Sequence, residues 1–132
     1  MAVAQDMLRT TPSKIGFGVD ELAACIQACV ECAQACTACA DACLGEDMVA
    51  ELRRCITTDL GCADVCEATG RILSRQTGHD AALTRAVLTA CQEACRLCAE
   101  ECERHAEMHE HCKVCAAVCR RCEEACGRLL AA

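Results

Sequence analysis

The chain has 132 residues, a length for one domain rather than two. Cysteine occurs 18 times while aromatic residues make up 1%, Phe17 being the only one, so the usual bulky core fillers are missing. Formal net charge is −7; with no basic patch and no aromatic residue placed to stack on bases, nothing suggests nucleic-acid binding, and a membrane-surface role is equally unsupported.

The N-terminal stretch "MAVAQDMLRTTPSKIGFG" carries Asp6, Arg9 and Lys14 and has no continuous apolar run. It cannot serve as the apolar region of a signal peptide, and no segment is expected to reach the length of a membrane span. The cytosol, where thiols stay reduced, is the expected compartment. Pro12, Gly16 and Gly18 punctuate residues 1–19, which read as an irregular or shortly helical extension to a domain at 20–132. Asp20 is positioned to cap a first long helix running to about Leu44, with Gly45 as its stop. Asp47 is positioned to cap a second, over about 48–77, ending at Gly78; Gly61 and Gly70 lower its propensity. Asp80 caps a third, over about 81–106. The stretch "HAEMHEH" holds the next turn, and a fourth helix covers about 109–130. No alternation of period two is present. The expected fold is all-α: an antiparallel up-down-up-down four-helix bundle with short loops.

The cysteines follow these helices. "CIQACVECAQACTACADAC" holds Cys25, Cys29, Cys32, Cys36, Cys39 and Cys43. The second helix holds Cys55, Cys62 and Cys66, and the third Cys91, Cys95, Cys98 and Cys102. The fourth holds Cys112, Cys115, Cys119, Cys122 and Cys126. Steps of four and three average the period of a buried bundle seam, so four rows converge into one thiol column. The first row alone is about 27 Å long at the α-helical rise.

Cysteine acting as a small hydrophobe explains one or two such positions, not all 18. Disulfides within a row are disfavoured: neighbours one turn apart have Cβ atoms about 5–6 Å apart, where a disulfide wants about 3.8 Å. Metal is the third reading. Soft thiolates select Cu(I), Zn(II) or iron–sulfur clusters. Zinc takes closed sets of four, often from knuckles on turns, and clusters favour cysteines gathered on loops. An unbroken helical ladder fits two-coordinate or bridged Cu(I) better. An iron–sulfur electron carrier and a zinc buffer of metallothionein type stay open as alternatives. A catalytic reading is weak, since no Cys–His pair has a third orienting group.

These rows, with "CQEACRLCAEEC" and "CKVCAAVCRRCEEAC", resemble the bacterial copper storage proteins over about residues 20–130. The resemblance implies a bundle whose core thiols hold many Cu(I) ions, the cytosolic branch of the family, and a homotetramer. Copper-donating or copper-accepting thiol ligands or proteins are the expected partners. Charge balance, one Cu(I) per thiolate, sets a capacity of about 18.

The two ends of the bundle differ. Cys43, Met48, His105, Met108, His109, His111 and Cys112 gather at one, a candidate mouth where imidazole and thioether are weaker Cu(I) ligands. His105 and His109 stand on the Cys102 stripe if the helix continues that far, which favours them over His111. At the other end Leu22, Ile72, Leu73, Leu83, Val87, Leu88, Leu129 and Leu130 form an apolar plug, with His79 a turn residue there. Asp59 sits in the cysteine register, four after Cys55 and three before Cys62, as an oxygen ligand or an acceptor for a thiol.

Overall fold

The computed structural model describes residues 2–132. Helix α1 spans Ala2–Thr10, α2 Val19–Leu44, α3 Arg53–Ser74, α4 Ala81–Glu103 and α5 Glu110–Ala131; a short 3-10 helix, Val49–Leu52, leads into α3. No strand occurs among the described residues. The packed pairs are α2 with α3, α3 with α4, α4 with α5 and α5 with α2, which closes the antiparallel four-helix ring. The N-terminal extension forms α1, lying on α2.

Local chemistry explains the boundaries. Asp80 caps α4 as expected, its side chain accepting from the Leu83 amide at 2.9 Å. Asp20 does not cap α2. Gly18 holds that position without a side-chain bond, and Asp20 lies in the first turn. There its carboxylate accepts from Gln5 at 2.8 Å and Arg9 at 3.2 Å, tying α1 to α2. Nor does Asp47 start a continuous helix: the 3-10 turn intervenes, with Met48 at its cap position. Helix α3 stops at Ser74, and Gly78 takes a left-handed backbone with φ 68°, the conformation only glycine adopts without strain. Gln76 closes this end from within, donating to the Leu73 carbonyl at 2.8 Å and accepting from the Gly16 amide at 3.4 Å.

Small side chains set the packing. A Cβ on Gly70 would stand 3.3 Å from that of Cys29, so this glycine permits the close approach of α3 to α2. Leu22, Leu73, Leu88 and Leu129 are buried at the apolar end, with Ile72, Val87 and Leu130 half-buried around them. Leu83 does not belong to this plug. It is 52% exposed, because the buried seam of α4 runs through Thr84, Leu88, Cys91 and Cys95, and Leu83 stands one position off it.

One expectation about membranes needs correcting. Helix α2, 26 residues long with a mean hydropathy of 1.4 over its best window, is long and apolar enough to cross a membrane. Its apolar character is that of cysteine and alanine, and the cysteines all face the bundle core. That is the character of a core helix.

Candidate metal centre

Every cysteine is buried, the most accessible of them being Cys39 at 2%, and all 18 are free thiols. The seam spacing therefore does place every sulphur on the bundle axis. Within a row, one helical turn separates Cys32 from Cys36 by 3.8 Å, Cys62 from Cys66 by 3.8 Å and Cys115 from Cys119 by 4.0 Å. Contacts between helices are equally short. Cys36 lies 3.6 Å from Cys119, Cys66 3.6 Å from Cys95, and Cys55 3.7 Å from Cys102. These separations are hydrogen-bonding thiol contacts, well beyond a sulphur–sulphur bond of about 2.05 Å.

The quartets overlap, and this decides what the column can do. Cys32 belongs both to the set with Cys66, Cys95 and Cys122 and to the set with Cys36, Cys62 and Cys119. Cys36 and Cys119 are shared again with Cys98 and Cys115, and Cys122 with Cys29, Cys91 and Cys126. A tetrahedral zinc site uses four ligands for one ion. Shared sulphurs suit bridging thiolates, each serving two soft monovalent ions. Burial favours the protonated thiol in the empty column, so ion entry must release protons.

Asp59 interrupts the row on α3 and sits fully buried in the column. Its Oδ1 accepts from Cys98 at 3.0 Å, Cys115 at 3.4 Å and Cys102 at 3.5 Å, and its Oδ2 from Cys55 at 3.8 Å. Burial first, then the surrounding thiols, pushes its carboxyl far above the usual carboxylate range. Asp59 is thus held among four sulphurs, with oxygen donors directed at the same space.

At the other side of Asp59 from the plug, the column opens toward the expected mouth. Cys39, Cys43, Cys112 and His111 form its last quartet, with His111 Nδ1 3.4 Å from Cys39 Sγ and 3.7 Å from Cys112 Sγ. Burial raises the Cys43 and Cys112 thiols above their ordinary range. His111 is also shifted upward: burial opposes its protonation, but hydrogen bonds to Cys39 and Glu46 outweigh it.

Among the histidines, His111 is the one the structure brings beside the column thiols Cys39 and Cys112. Helix α4 ends at Glu103, so the Cys102 stripe does not continue and His105 turns aside, its Nε2 bound to Glu101 at 3.0 Å. His109 is the N-cap residue of α5, 8% exposed, its Nδ1 3.1 Å from Glu46. Its Nε2 is buried without a partner. Met48 is half-buried at the start of the 3-10 helix, whereas Met108 is 63% exposed and points away. His79, at the plugged end, stands edge-on to Phe17 at 5.9 Å and 3.3 Å from the Thr84 hydroxyl, a turn contact as expected. Two participants escaped the sequence reading: Glu101, buried beneath His105, and Glu46, which gives the Cys39–His111 pair the third, orienting group that the sequence was expected to lack.

Fold and site together define a class, the four-helix bundles that hold soft metal ions on an internal thiol column. A family model described as copper storage protein matches residues 19–131, and the chain belongs to that family. It is similar to the copper storage protein of Streptomyces lividans solved with ten copper equivalents: 58% identical, TM-score 0.96, covering 98% of each chain. A structure of the cytosolic copper storage protein of Streptomyces lividans with five coppers is 62% identical with TM-score 0.85, covering 86% of this chain and 94% of that one. The uncharacterized cysteine-rich protein YhjQ of Bacillus subtilis (strain 168) is 36% identical over 108 residues, 82% of this chain and 94% of that protein.

Proposed function

We propose that this chain stores Cu(I) in the cytosol, with a capacity on the order of one ion per cysteine, about 18. The observation that carries the reading is the overlap of buried sulphur quartets between the apolar plug and the mouth, with Cys32, Cys36, Cys119 and Cys122 each shared. Bridging thiolates neutralise one charge per ion, so a loaded core stays neutral where an apo core of thiolates would repel itself. Full burial keeps the ions from water and from oxidants. Asp59 adds an oxygen donor midway, and His111, with His105, His109 and Met48 around it, makes the mouth softer than bulk water but weaker than the column.

The role is storage and not catalysis, with residues 20–132 as the storage unit and 1–19 as an accessory segment. Small thiols or thiol proteins supply and remove the copper. A homotetramer is the assembly the family resemblance implies; its test is the mass in solution. Overlapping quartets do not favour an iron–sulfur carrier or a zinc buffer, each of which needs dedicated ligand sets.

Anaerobic titration of the reduced apoprotein with Cu(I), against a competing chelator, tests the proposal. Continued uptake to many equivalents is expected. Saturation at one or two equivalents, or displacement of copper by an equal free concentration of Zn(II), would overturn it.

A further inference from the structure

Glu46 has no thiol contact and no place in the cysteine rows, yet it joins two imidazoles. Its Oε2 lies 3.1 Å from His109 Nδ1 and 2.9 Å from His111 Nε2. The two rings stack with centroids 5.5 Å apart and planes at 25°. The residue follows the glycine that ends α2, its own amide donating to the Cys43 carbonyl at 3.2 Å, so the turn aims the carboxylate across the mouth toward α5.

We propose that Glu46 is a positioning residue that fixes the tautomers of both mouth histidines, leaving one nitrogen of each free to receive Cu(I). An ionised carboxylate only accepts hydrogen bonds. Each nitrogen facing it must therefore carry the proton: Nδ1 on His109 and Nε2 on His111. The remaining nitrogens then hold lone pairs. On His111 that nitrogen is Nδ1, beside Cys39 and Cys112. On His109 it is Nε2, the buried atom without a partner. One acid thus orients two donors, one beside the thiols and one buried apart, as outer carboxylates do for metal-binding histidines elsewhere. An arriving ion meets the Nδ1 lone pair of His111, while the Nε2 proton stays on the ring, donated to Glu46.

The inference rests on the copper-storage reading for its purpose, but its geometry is tested without copper. Free histidine side chains favour the Nε2–H tautomer, so His109 is held in the less favoured form. Imidazole nitrogen NMR of the apoprotein reads this directly. Wild type is expected to show Nδ1–H on His109, and Glu46→Ala is expected to return it to mainly Nε2–H with the bundle still helical by circular dichroism. Glu46→Gln keeps a carbonyl oxygen without the charge and is expected to retain much of the wild-type pattern. Uptake of substoichiometric Cu(I) should slow by about tenfold in Glu46→Ala and less in Glu46→Gln. An Nε2–H tautomer on wild-type His109, an unchanged tautomer in Glu46→Ala, or a changed tautomer with unchanged uptake would each overturn the proposal. Failure of wild-type protein to take up copper would overturn the storage reading instead, while the apoprotein spectra would still decide the tautomers.

Discussion

The two ends of the bundle are built from opposite materials. At one end Leu22, Leu73, Leu88 and Leu129 fill the axis with hydrocarbon, Gln76 satisfies the backbone of the turn, and α1 lies alongside. At the other, the axis ends in Cys43, Cys112 and His111, under a lid of Glu46, His109 and His105. The leucines contribute stability that needs no metal, because burying apolar surface is favourable in the empty protein. The thiol column contributes less by itself and gains on loading, since an ion bound only by the folded state stabilises it by mass action. Folding and filling are thereby assigned to different ends of the molecule.

Breaking the plug should have the largest effect. Leu88→Ala leaves a cavity among closely packed leucines and should cost the apoprotein about 2–5 kcal/mol in chemical denaturation. The copper held per folded molecule should not change, because no ligand is touched. A proportional loss of capacity would show that the plug and the column are one unit.

Asp59 marks where the dry column is most sensitive to charge. Its carboxyl titrates far above the ordinary value of 3.8, so the folded apoprotein keeps a proton that the unfolded chain loses. Stability should therefore fall as pH rises above that ordinary value, by up to about 1.4 kcal/mol per pH unit. Asp59→Asn removes this proton from the balance. Its stability advantage over wild type should widen from about pH 5 to about pH 8 in urea denaturation of the apoprotein. A constant difference across that range would mean the carboxyl ionises in place.

Two helix starts sharpen the picture at smaller scale. Asp80→Ala removes a true cap on α4 and should cost about 1 kcal/mol. Asp20→Ala removes only exposed bonds to Gln5 and Arg9 and should change stability by less than about 0.5 kcal/mol. Equal losses at the two sites would contradict the cap assignments.

The thiol column was legible from spacing alone, because a seam period is a one-dimensional signal and each cysteine obeys it. The plug was legible except for Leu83: counting back from Cys91 and Leu88 places Thr84, not Leu83, on the seam. The end that forms the mouth was legible, but the arrangement of its histidines was not. Helix α4 ends at Glu103 with no glycine or proline to mark it, so extending the Cys102 stripe favoured His105 and His109 over His111. Glu46 is 65 residues from His111, and only folding brings them together. The Asp47 cap failed for a related reason: the chain crosses that end through a 3-10 turn before α3 begins.

The central claim is that the buried sulphurs act as one continuous store. Its most direct test is the copper-to-protein ratio after anaerobic Cu(I) loading and removal of unbound metal, with the remaining reactive thiols counted on the same sample. The account predicts a ratio on the order of one per cysteine, about 18, with almost no free thiol left. A plateau at one or two ions with most thiols still reactive would contradict it.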